Sequence, residues 1–114
     1  MDKNTVLSLS RSSEALKARE TVLRNGGLNV ISVSSPIEAR YEITMGRCGV
    51  LLICYRLNEE DAQEITKLYK ANCPQGLVIF VEEPSKRETR APQGVDFVLS
   101  ESAGPQRILQ TLKG

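Results

Sequence analysis

The stretch Gly49-Val-Leu-Leu-Ile-Cys-Tyr-Arg-Leu57 decides how the rest of the chain reads. Val50 to Cys54 is continuously apolar and does not alternate, which is the pattern of a strand covered on both faces. A membrane helix needs about 20 apolar residues, so this run is too short to span a bilayer. Polar and charged residues follow at once, with Arg56, Asn58, Glu59, Glu60 and Asp61 marking where a buried strand surfaces at its C-terminal end. In open α/β sheets sites lie beyond that end, which makes Cys54, Tyr55 and Arg56 the first candidates for chemistry.

Working outward, Thr5 to Leu9 is a short β-prone run that ends in Ser10-Arg11-Ser12-Ser13, a loop rich in N-cap candidates. A helix starting at Glu14 places Ala15, Leu16, Ala18, Val22 and Leu23 largely on one face, with Lys17, Arg19, Glu20 and Arg24 mostly elsewhere. Asn25-Gly26-Gly27 stops it. Leu28 to Val33 is the second strand. Ser35 and Glu38 then form a capping box with Pro36 at the first helical position. In this second helix Ile37, Tyr41, Ile43 and Met45 are expected to supply the apolar contacts, up to Gly46.

Beyond the central strand, Asn58 caps a third helix whose first turn carries Glu59, Glu60 and Asp61, where anions suit the helix dipole. Ala62, Ile65, Leu68 and Tyr69 should cover the sheet, and Pro74 and Gly76 end the helix. Leu77 to Val81 is another continuous apolar strand. Glu83 to Pro92 has almost nothing to bury and is expected to be the loosest segment; its Lys86-Arg87-Glu88-Thr89-Arg90 reads as a solvated loop neutralised by Glu82, Glu83 and Glu88. Val95 to Leu99 is a fifth strand. Ser102-Ala-Gly-Pro105 opens a last helix in which Ile108, Leu109 and Leu112 face inward. Five strands alternating with four or five helices imply a parallel sheet with right-handed crossovers and helices on both faces, a three-layer α/β sandwich.

The chain of 114 residues suits one domain, 1–114, with a substantial core. It is 40% hydrophobic and 25% charged, the composition of an ordinary globular protein. Its 15 basic and 14 acidic residues leave a net charge of +1, which provides no field for nucleic acid or an acidic membrane surface. Cys48, Cys54 and Cys73 show no CxxC spacing and there is no His, so they read as reduced thiols and no metal site is expected. The start, Met1-Asp-Lys-Asn, has no apolar signal region, which points to the cytoplasm. No Gly-rich phosphate cradle follows the first strand, and no cofactor is expected.

Leu51-Leu-Ile-Cys-Tyr-Arg-Leu57 and Gly94-Val-Asp-Phe-Val-Leu-Ser-Glu-Ser102, at their spacing, resemble two segments of the receiver domain of bacterial response regulators. The first is similar to the family's Leu-Leu-Asp-Tyr-Arg-Leu around its phosphoacceptor, the second to its Gly-Ala-Asp-Asp-Tyr-Leu-Thr-Lys-Pro. The resemblance covers essentially the whole chain and implies a flavodoxin-like fold with a sheet of order 2-1-3-4-5. It also implies a role in two-component, phosphorelay-type signalling.

The family holds Mg²⁺ with two acidic residues after the first strand and the phosphoacceptor Asp after the third. A Ser/Thr after the fourth strand and a Lys after the fifth sense the phosphoryl group. Carried over, the acidic pair falls on Ser10 and Arg11, the phosphoacceptor on Cys54, the Ser/Thr on Glu82 (Val81 if the register slips by one) and the Lys on Glu101. All these positions have lost the required type, so the resemblance implies a degenerate, phosphorylation-independent pseudo-receiver that is not an enzyme. Its partner would be a protein, or a second copy bound through the last strand and helix, at the family's face of fourth helix, fifth strand and fifth helix. Arg11 is expected to bridge Glu82 and Glu101, fixing the loops in one arrangement. The competing reading is a thiol redox sensor or small enzyme centred on Cys54. The absence of a His base and the presence of nearby carboxylates oppose it.

Overall fold

The computed structural model describes residues 2–84 and 91–114. The elements run β1 (Asp2–Leu9), α1 (Ser13–Asn25), β2 (Asn29–Val33), α2 (Pro36–Met45), β3 (Cys48–Cys54), α3 (Glu59–Asn72), β4 (Leu77–Glu82), β5 (Phe97–Ser100), a 3₁₀ turn (Glu101–Ala103) and α4 (Pro105–Lys113). The strands form one parallel sheet in the order β2-β1-β3-β4-β5, the flavodoxin-like arrangement. Every residue of β3 is buried, as the unbroken apolar run requires of a central strand.

Alternate residues of the sheet serve two cores. Leu7, Leu9, Leu51, Ile53, Val78 and Phe80 pack with Ala39 and Ile43 of α2 and Ala62, Ile65 and Tyr69 of α3. Val6, Val50, Leu52, Cys54, Ile79 and Val81 pack on the opposite face with Leu23 of α1 and Ile108 of α4, flanked by Leu109 and Leu112. Each fully buried Leu or Ile contributes about 1.5–3 kcal/mol relative to exposure, so these two layers dominate stability.

The caps act as their residue types dictate. Ser12 Oγ accepts the Ala15 N–H, Ser35 Oγ the Glu38 N–H, and Asn58 Oδ1 the Asp61 N–H. Gly46 ends α2 with φ of 69°, a left-handed conformation that glycine adopts without steric cost. At Gly49 the reason for glycine is space: a Cβ would sit 2.6 Å from the Asp2 carbonyl oxygen, where β1 crosses closely and its register with β3 shifts.

Several expectations from the sequence need correction. On α2 only Ala39 and Ile43 turn inward, four residues apart; Ile37, Tyr41 and Met45 form their own stripe and are 75%, 62% and 51% exposed. On α1 the expected outer-face residue Arg19 is buried beside Leu23, because it lies four residues after Ala15 and four before Leu23. β1 starts at Asp2, not Thr5, since the Asp2 N–H reaches the Arg47 carbonyl. β5 starts at Phe97, not Val95: Asp96 spends its carboxylate on the Val78 N–H and on Lys70, both at 2.8 Å, before the ladder begins. The readings of 85–90, including the basic segment and most of the expected loose stretch, lie outside the described residues. No helix among the described residues is long and apolar enough to cross a membrane.

Candidate functional site

The C-terminal edge of the sheet brings together the segments after β1, β3, β4 and β5. Ser10 follows β1, fully buried, and its N–H donates to the Val33 carbonyl at 3.2 Å. Its hydroxyl oxygen accepts the Ser12 N–H at 3.1 Å and the Cys54 thiol at 3.5 Å. Cys54, which ends β3, is likewise fully buried. Val81 of β4 stands opposite Cys54 in register, and Glu82 follows it, half-buried and opposite Ser100.

The segment after β3 reaches across this edge. The Tyr55 N–H donates to the Val81 carbonyl, and a turn closes with the Leu57 N–H on the Cys54 carbonyl. That turn aims Tyr55 and Arg56 at Glu101, the first residue after β5. Tyr55 donates its hydroxyl to Glu101 Oε1 at 3.0 Å, while Arg56 Nη1 pairs with Oε2 and its guanidinium lies over the Tyr55 ring, 4.8 Å from the centroid. Arg19 Nη2 of α1 approaches the same Oε2 to 3.6 Å. One carboxylate thus ties α1, the β3–α3 turn and the β5–α4 turn together.

Burial opposes ionisation of Glu101, but the hydrogen bonds from Arg56 and Tyr55 and the charges of Arg56 and Arg19 outweigh it and hold the carboxyl below its usual range. Tyr55 is shifted the other way, upward, by burial first and then by the carboxylate that accepts its hydroxyl.

This geometry replaces the expected bridge of Arg11 to Glu82 and Glu101. Arg11 is 55% exposed and its ion-pair partner is Asp61 of α3, at 3.9 Å. Arg19, buried on the inner face of α1, and Arg56 take the Glu101 carboxylate instead. The signal for Arg19 was a basic residue in register with the apolar stripe of α1. Arg11→Ala should accordingly change stability by less than about 1 kcal/mol, the range of an exposed pair, in a thermal melt. A larger loss would mean that Arg11 carries more than its contact with Asp61.

Cys48 and Cys73 are buried away from this edge, and burial pushes the Cys48 thiol up to about 11. Among the described residues no group of three or more His, Cys, Asp or Glu side chains is placed to hold a metal ion.

No protein-family model and no curated protein matches the chain. Solved structures do. A response regulator receiver protein from Sinorhizobium medicae superposes with a TM-score of 0.81 at 16% identity, covering 96% of this chain and 90% of that one. A response regulator receiver domain protein from Clostridium thermocellum gives 0.79 at 16% identity over 96% and 90%. A CheY-like receiver domain protein from Methanospirillum hungatei gives 0.78 at 15% identity over 97% and 92%. With the sheet order and helix layers described above, these likenesses establish that the chain has the fold of a response regulator receiver domain.

Proposed function

We propose that residues 1–114 form one receiver-like signalling domain of a two-component, phosphorelay-type pathway, acting in the cytoplasm without phosphorylation and by contact with a protein partner. The observation that carries this reading is Cys54. At the strand end where the resemblance puts the phosphoacceptor carboxylate, a thiol lies fully buried and donates to Ser10. Mg²⁺ requires hard oxygen ligands carrying negative charge, whereas the positions carried over from the metal pocket offer a neutral hydroxyl at Ser10, a permanent cation at Arg11 and sulfur at Cys54. These residues do not fit the metal. Glu101, where the family has Lys, would repel a phosphoryl dianion and is already occupied by Arg56, Arg19 and Tyr55. Burial of Cys54 also weighs against the redox or nucleophilic reading, since a reactive thiol needs access and a base. A protein surface, including self-association through β5 and α4, is then the means of output, and the balanced charge gives no reason to invoke nucleic acid.

Acetyl phosphate or beryllofluoride with Mg²⁺ should leave the protein unchanged in intact-mass spectra and amide NMR shifts. A phosphoryl mass increment, or saturable Mg²⁺-dependent shifts at Ser10 and Cys54, would overturn the reading. Cys54→Asp alone should not restore phosphorylation, because Ser10 and Arg11 still supply no carboxylate.

A further inference from the structure

Beside the Glu101 cluster, between the start of α1 and the start of α4, lies an open cavity of about 260 Å³. Its apolar walls are Ala15, Ala18, Val81, Pro105 and Ile108, and its polar side includes Ser12, Glu14, Arg19, Arg56 and Glu101. Arg19 is only 4% exposed, and beyond its 3.6 Å approach to Glu101 its Nη1 finds no acceptor among the described residues. A guanidinium N–H held out of water without an acceptor is costly, which sets it apart from the solvated arginines of the surface. The cavity also takes in Gly104, the N-cap of α4, and Pro105, its first residue; this N-terminal end has no side-chain cap and so presents the positive end of the helix dipole.

We infer that this cavity is a binding site for a small organic carboxylate: its apolar body rests between α1 and α4, and its carboxylate takes the free donor of Arg19 with support from Arg56 and the α4 N-terminus. The choice of a monoanion follows from the charges present. Glu101 already offsets one guanidinium, and Glu14 also lines the cavity, so a phosphate dianion would face two carboxylates. The size sets the other limit, since cavities for drug-sized ligands run about 300–1,000 Å³. An occupant bridging α1 and α4 would sit directly on the carboxylate that ties three segments of the sheet edge together, which makes it a means of regulating this edge without covalent chemistry.

Titration of the full chain with benzoate and butyrate, followed by amide and arginine side-chain NMR, tests the site; benzamide, butyramide and inorganic phosphate are the controls. Saturable shifts centred on Ala15, Arg19, Gly104 and Ile108 are expected with the carboxylates. Arg19→Gln should weaken them about tenfold or more, as loss of a charged hydrogen-bond donor does. Ala15→Leu fills the cavity without altering any charge and should abolish binding even if Arg19→Gln fails to fold. The absence of saturation with either carboxylate would overturn the site. So would amides binding as tightly as carboxylates, phosphate binding more tightly than either, or benzoate binding that survives Ala15→Leu.

Discussion

Glu101→Lys, which places there the residue type that the resemblance to phosphorylatable receivers implies, should destabilise the protein by about 3–5 kcal/mol, the cost of leaving a buried charge without its partner. The new ammonium would face Arg56 and Arg19, and Arg19 is too buried to turn to solvent. The milder Glu101→Gln removes the charge but keeps an acceptor, and should cost about 2 kcal/mol once the partial exposure of Glu101 and Arg56 is discounted. The pH dependence has a definite sign. Glu101 has its folded pKa depressed below the ordinary 4.5, so its contribution is fully present above that value and is lost as pH falls through the folded pKa. Melts of wild type and Glu101→Gln should therefore differ most near neutrality and converge in acid. A gap that persists below the folded pKa would show that the Glu101 contacts do not depend on its charge. Any change of charge at Glu101 must consequently be weighed together with Arg19 and Arg56, because both guanidiniums share its Oε2.

Tyr69→Ala is the second large effect, at about 3–5 kcal/mol, the range for truncating a buried aromatic residue. Tyr69 is among the largest fully buried side chains, and its hydroxyl donates to the Cys48 carbonyl at 3.0 Å, joining α3 to the first residue of β3. The ring also lies against Gly76, where an added Cβ would collide with the Tyr69 hydroxyl and ring carbons. Tyr69→Phe keeps the ring and should lose only about 0.5–1.5 kcal/mol for the hydrogen bond. Urea denaturation of the pair separates packing from the hydrogen bond. Equal losses in both variants would mean that the hydroxyl, not the ring, anchors α3.

The fold was legible from local patterns because each pattern has one physical cause. A continuous apolar run such as Val50 to Cys54 needs cover on both faces of its strand, and Ser12, Ser35 and Asn58 cap helices through bonds that span three residues. That a hydroxyl at Ser10 and a thiol at Cys54 stand at the strand ends was equally a matter of residue type. Which cation meets which carboxylate was not. Arg11, just ahead of α1, and Arg19, midway along it, look alike as sequence, yet one lies outside the sheet edge against Asp61 and the other inside against Glu101. The stripe Ile37, Tyr41, Met45 likewise has the same helical spacing as Ala39 and Ile43, and only the packing of α2 on the sheet chose between them. Sequence by itself determined the strands, caps and buried sheet, since these depend on neighbours a few residues away. The tertiary structure alone decided the Glu101 cluster and its adjoining cavity, since long side chains from three distant segments converge there only after the sheet has assembled.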